Sequence, residues 1–257
     1  MKSSNPFAYS IGTRVRDKIF LELLEPQSGE RVLDVGCGLG YFIELFNRCG
    51  AKCTGIDIDR LCLAYCSDNI PGEYVEVDLA NPPYAFAEDW FDKAICTEVL
   101  EHIENNGLIL QELRRIMKPG AVLVVSTPCL DGVFGTFWKK IGHNHVDSSS
   151  YEYHYHKGYT EGTLAKLLER YGFRSQRTEY TMVLGVEVIM GITKILVRQM
   201  QLKKIDSQAN ALSLEGTALW RVYKKLFGSL LLYGKVEQPL ARILKGHMII
   251  MKGVLHK

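Results

Sequence analysis

The chain has 257 residues, 47% hydrophobic and 23% charged, at a net charge of +2. That is enough chain to bury a full core as one domain, with room for an appended subdomain, and it excludes a disordered or low-complexity protein. The near-neutral total gives no reason to expect a nucleic-acid partner. Seven cysteines is an odd count, and they fall inside predicted elements, which predicts reduced thiols in a cytoplasmic protein.

The small net charge hides an asymmetry. Residues 178–257 hold 12 of the 31 Lys and Arg but 5 of the 29 Asp and Glu, so this quarter stands at +7 and the rest at −5. An acidic body with a basic C-terminal quarter predicts an anionic surface or partner. Residues 1–10 are polar and include Pro6, so no basic-then-apolar leader is expected, and residues 11–25 read as an amphipathic helix.

Arg31-Val-Leu-Asp-Val-Gly-Cys-Gly-Leu-Gly40 is the stretch around which the chain is organised. Val32, Leu33 and Val35 predict a buried parallel strand. Gly36, Gly38 and Gly40 predict a tight turn whose backbone can touch a ligand. A helix from Tyr41 comes next, closed by Gly50. A dinucleotide fingerprint would need a glycine where Tyr41 stands, and Asp34 at the strand end suits a cationic ligand better than a diphosphate. An NAD-dependent oxidoreductase is disfavoured on both counts.

D-x-G-x-G-x-G resembles the first motif of the class I S-adenosylmethionine-dependent methyltransferases. The resemblance implies an α/β fold, a doubly wound, mostly parallel seven-stranded sheet with the last strand inserted antiparallel. It implies a cofactor carrying an ammonium and a sulfonium, held by Asp34, Gly36, Cys37, Gly38 and Gly40. A second strand, Ala51 to Ile56, ends at Asp57, and Asp59 is placed to cap the next helix. Asp57 is assigned to the ribose hydroxyls, with Ile58 beside it. A third strand from Tyr74 reaches Asp78 and Leu79, which the resemblance places beside the adenine.

Phe91 to Thr97 reads as the fourth strand, followed by Glu98-Val-Leu-Glu101-His102-Ile. A helix ending near Lys118, a Pro119-Gly120 turn and a fifth strand, Ala121 to Thr127, come next. These motifs match the same family in content and order from about residue 28 to 128. Thr97 and Glu98 join the cofactor set by that likeness.

Glu98, Glu101 and His102 fall at i, i+3 and i+4, and on a helical turn they share a face. That spacing suits a hard divalent cation with one imidazole, and in the quinone-pathway O-methyltransferases, which this stretch resembles, the turn is associated with Mg²⁺. The preferred reading makes His102 a general base, with Glu101 beside it. Residues 129–158, with His143, His145, His154 and His156, read as a substrate-covering loop and a poor zinc pattern.

A helix from Tyr159-Thr160, a strand from Arg174 and a last strand over His247 to Leu255 complete the sheet, with a helical insertion over roughly 182–245. Glu187, Gly191, Lys194 and Arg198 make one narrow polar stripe in that insertion. Trp220, Tyr223, Phe227, Leu230 and Leu231, beside Arg221, Lys224 and Lys225, make an apolar face that packs on the body, on a partner or on lipid. The same chemistry recurs at Phe134, Phe137, Trp138, Lys139 and Lys140.

Together these readings predict an S-adenosylmethionine-dependent methyltransferase, cytoplasmic or peripheral at a membrane surface. It would O-methylate a hydroxylated acceptor, small or lipid-linked and resembling a quinone precursor. Two alternatives stand beside it: a sugar or other soluble metabolite as acceptor, and a non-catalytic S-adenosylmethionine-binding partner subunit.

Overall fold

The computed structural model describes residues 5, 8, 10–132, 155–182, 185–186 and 218–257, and of residues 218–220 and 222 the backbone alone. Seven strands form one sheet in the order β3-β2-β1-β4-β5-β7-β6. They are β1 (Arg31–Val35), β2 (Lys52–Asp57), β3 (Glu73–Glu76), β4 (Phe91–Thr97), β5 (Met117–Pro128), β6 (Phe173–Thr181) and β7 (Met248–Leu255). β1 to β5 pair in parallel, and β7 enters antiparallel between β5 and β6. This is the seven-stranded, mostly parallel sheet expected from the sequence.

The central strands are apolar because both faces of the sheet are covered. Leu33, Val35, Ala94, Cys96, Leu123 and Val125 point into one core with Leu110, Leu113 and Leu164. Val32, Ile95, Val124 and Ile250 point into the other, with Phe20, Phe42 and Phe46. Both layers leave the C-terminal ends of β1, β2 and β4 next to one another, where an open α/β sheet forms its crevice.

The helices are α1 (Ile11–Arg14), α2 (Asp17–Leu24), α3 (Tyr41–Asn47), α4 (Arg60–Asn69), α5 (Gly107–Ile116), α6 (Glu161–Arg170) and α7 (Ala218–Leu244). Asp59 caps α4 as expected, its carboxylate accepting the Leu61 and Cys62 N–H groups, a contact that contributes about 1 kcal/mol. All seven cysteines are free thiols. Cys62 and Cys66 are both buried against the sheet.

Three local expectations are corrected. The single helix over 11–25 is two helices, because the Arg16 N–H turns to the Thr13 carbonyl and the Arg16 side chain folds back on Gly12. Pro119-Gly120 is no turn between elements but lies within β5, which bulges there: Met117 pairs with Phe91, and regular pairing resumes at Val122 with Lys93. Glu98 to His102 is not an α-helical turn. Glu98 takes a left-handed φ of 56°, and a 3-10 turn covers Leu100–His102 alone.

α7 is the described part of the helical insertion. Tyr223, Phe227, Leu230 and Leu231 turn inward, and they pack with Ile11, Val15, Met182, Val186 and Met248. That face therefore lies on the catalytic body. The expectations that concern residues 133–154 and 187–217, including the stripe at Glu187 to Arg198 and the aromatics from Phe134 to Trp138, lie outside the described residues.

Candidate cofactor and acceptor site

A cavity of about 430 Å³ opens at the ends of β1, β2 and β4. Asp34, Gly36, Cys37, Asp57, Ile58, Asp78, Leu79, Thr97, Glu98 and His102 all line it. Residues predicted on four separate segments thus share one wall. Gly38, Gly40 and Glu101, also expected at the site, are not among the residues that line the cavity.

The turn is fixed by its neighbours. The Gly36 and Cys37 N–H groups donate to the Ile56 carbonyl at 2.8 and 3.0 Å, so the loop is tied to β2. Gly36, at φ 72°, leaves no room for a side chain: a Cβ there would run into a Val99 methyl. Gly40, at φ 70°, begins α3 with Cys66 and Ile70 closing the space where its Cβ would be. Glycine is required at both places by handedness and by contact.

Asp57 has more to do than a solvated strand-end acid. One carboxylate oxygen accepts the Gly38 N–H at 2.8 Å and the other accepts the Asp59 N–H at 2.9 Å. It bridges the glycine turn to the start of α4, and a carboxylate keeps acceptor capacity beyond two such bonds. Asp78 closes its own turn by accepting from the Ala80 N–H and the Asn81 side chain. Ile58 is 57% exposed although apolar, and buried Leu79 lies on the same wall. An exposed isoleucine in a cavity wall is a place for a flat apolar ring to rest.

Asp34 is fully buried and its Oδ1 has no hydrogen-bond partner. Burial, with the charge of Asp57 behind it, pushes its carboxyl up to about 8. A buried acceptor without a donor costs free energy until something donates to it. An ammonium-bearing ligand would do so.

The structure also brings in residues that the motifs did not reveal. Ser10, Gly12, Thr13 and Arg16 of the N-terminal segment line the cavity, as do Tyr41, Phe42 and Met182. Arg16 is 6% exposed and forms an ion pair with Glu98. Tyr41 donates to Asp17 at 2.7 Å and accepts from Arg14 at 3.1 Å, fastening the start of α2 to the glycine turn. The Asn5 side chain donates to the Leu39 carbonyl at 2.7 Å. No short motif marks these positions, and the signal available was an arginine at position 16 within an otherwise amphipathic helix.

The metal set expected at Glu98, Glu101 and His102 is not assembled. Glu98 faces Arg16. Glu101 is buried and accepts from the Thr127 hydroxyl at 3.3 Å; burial and the charge of Glu98 push it up to about 8. Among the described residues no three His, Cys, Asp or Glu side chains converge on a cation position. Glu98 is engaged by Arg16 and Glu101 by Thr127, so as placed these residues do not fit Mg²⁺. His102 remains on the cavity wall. His156 comes back over this turn, its N–H donating to the Glu101 carbonyl at 3.1 Å and its ring to the Glu104 carbonyl at 3.0 Å.

The sheet order, the glycine turn and the acids at successive strand ends define a class I methyltransferase fold with a cofactor-sized cavity. A family model described as a methyltransferase domain matches residues 8–177, and the chain belongs to that family. The ubiquinone biosynthesis O-methyltransferase of Rhodopseudomonas palustris (strain TIE-1) is 33% identical over 101 residues, covering 38% of this chain and 40% of that protein. Methyltransferase GfsG of Streptomyces halstedii is 30% identical over 130 residues, 48% of this chain and 46% of that one. The chain thus matches less than half the length of these relatives. A SAM-dependent methyltransferase from Archaeoglobus fulgidus shares the fold with a TM-score of 0.57 at 20% identity, over 94% of this chain and 92% of that one.

Proposed function

We propose that the protein transfers a methyl group from S-adenosylmethionine to an oxygen of a hydroxylated acceptor, small or lipid-linked and of quinone-precursor type. The observation that carries this reading is the buried Asp34 carboxyl group, whose Oδ1 has no hydrogen-bond partner, on the same cavity as His102. S-adenosylmethionine bound there supplies an electrophilic methyl group on a sulfonium.

The chain's own residues do the rest. Asp34 would accept from the ammonium of that cofactor, and Arg16, here paired with Glu98, would donate to the carboxylate of the same amino-acid end. Asp57 would hold the ribose hydroxyls, and Ile58, Asp78 and Leu79 the adenine. Gly36, Cys37 and Thr97 line the same cavity and would hold the part of the cofactor that carries the sulfonium. His102, on the cavity wall, would take the proton of the acceptor hydroxyl, and Gly12 and Thr13 of α1 line the same cavity. The named O-methyltransferase relatives support oxygen as the acceptor atom. Seven free thiols support a reducing, cytoplasmic setting.

The test is a mass-spectrometric acceptor screen over catechols, polyprenylated phenols and sugars. Methylated product together with S-adenosylhomocysteine is the expected result with a phenolic acceptor. Tight S-adenosylmethionine binding without S-adenosylhomocysteine release on any acceptor would instead make the chain a non-catalytic binding subunit.

A further inference from the structure

We propose that the outward face of α7 is a docking surface for an anionic lipid bilayer. α7 runs for 27 residues, about 40 Å at helical rise. Its inward side is accounted for by Tyr223, Phe227 and Ala241 against the body. The opposite side is apolar and exposed. Leu232 is 64%, Val236 69% and Ile243 78% exposed, with Leu226 and Leu240 flanking them. Spacings of four and seven residues set Leu232, Val236 and Ile243 in one stripe.

The charges along this helix are one-sided. Arg221, Lys225 and Lys235 are exposed beside the stripe. Glu237 is the one acid in residues 218–244, and it is buried, accepting the Gly185 and Val186 N–H groups at 2.7 and 2.9 Å. Among the described side chains of α7, the exposed face therefore carries cations and hydrocarbon and no anion. A second copy of the chain would meet this face with the same cations. A bilayer surface answers both features at once, its phosphates taking the lysines and its acyl boundary the stripe. No helix among the described residues is long and apolar enough to cross a membrane, so α7 lies on the surface.

The position matters for the reaction. The inward side of α7 rests on Ile11, Val15 and Met182, and Met182 and α1 residues line the cavity. A docked α7 would hold the cavity wall close to the bilayer, where a lipid-linked acceptor resides; this consequence rests on the proposed methyl transfer, the docking itself does not.

The experiment is sedimentation of the full chain with phosphatidylcholine vesicles, with and without phosphatidylglycerol, at low and high salt. The expected result is binding to the anionic vesicles alone, falling as salt shortens the Debye length to about 8 Å and below. K225Q with K235Q should lower partitioning roughly fivefold per lysine, and V236S with I243S should lower it further, both at unchanged Tm. A chain that stays in the supernatant with anionic vesicles at low salt overturns the proposal. So does equal binding to neutral vesicles, or folded variants of both kinds that bind like the parent. A dimer in light scattering that I243S dissociates, without vesicle binding, assigns the face to a second copy and overturns it too. Should the serine pair fail to fold, the glutamine pair alone decides. The assay contains neither S-adenosylmethionine nor acceptor, so its failure leaves the methyl-transfer reading standing.

Discussion

Arg16 and Glu98, 82 residues apart in the chain, form an ion pair on the wall of the cavity. The arginine is buried, and the glutamate is held there by a left-handed backbone at the end of β4. Among the described residues Arg16 is the one Lys or Arg that lines the cavity, so a ligand carboxylate has one guanidinium to meet. Arg16→Gln is expected to weaken S-adenosylmethionine binding roughly tenfold or more, the loss of a charge-assisted hydrogen bond. Arg16→Lys should recover part of it. Calorimetry giving parent affinity for Arg16→Gln would remove Arg16 from the site.

Asp57 joins the glycine turn to the first residues of α4, so its loss acts twice. Asp57→Ala should weaken the cofactor by about 1–3 kcal/mol and should also lower Tm, because the Gly38 and Asp59 N–H groups lose their acceptor. Asp57→Asn keeps one good acceptor and should restore most of the Tm but less of the affinity. Affinity and Tm that move together in both variants would reduce Asp57 to a structural role.

His102→Ala is expected to lower kcat about 10²-fold or more with cofactor affinity retained. Chelator should leave the rate unchanged, because Glu98 is paired with Arg16 and Glu101 with Thr127. Loss of activity on chelation, restored by Mg²⁺, would refute that account of the turn.

Asp34 supplies a proton-linkage test. Its carboxyl is raised to about 8 in the folded protein, against about 4 for an unfolded chain. Between those values the folded state binds the extra proton, so its contribution to stability is full below pH 4 and is lost as pH rises through 8. Asp34→Asn should therefore raise Tm more at pH 8 than at pH 5. An ammonium at Asp34 favours the ionised form, so cofactor binding at pH 7 should release about one proton. Titrations in buffers of different ionisation enthalpy read that proton directly, and identical heats would sever Asp34 from the ligand.

Much of this protein was legible in its sequence, and for a local reason. The strand, glycine turn and helix from Arg31 to Asn47, and the acids closing β1, β2 and the segment after β3, are set by short-range rules. Left-handed turns take glycine, buried parallel strands take β-branched residues, and Asp59 caps the helix that begins beside it. The fold and most of the cavity wall came with them.

Tertiary structure decided what no neighbour in sequence could. It broke the first helix at Arg16 and carried that arginine to Glu98. It paired Glu98 with Arg16 and Glu101 with Thr127, so that three residues with metal-ligand spacing do not form a metal site as placed. It turned Tyr223 and Phe227 of α7 inward while leaving Val236 and Ile243 outside. A hydrophobic period shows that a helix has an apolar side, but α7 is apolar on more than one. Which side is buried depends on where α1 and Met182 stand, and that is a property of the folded chain alone.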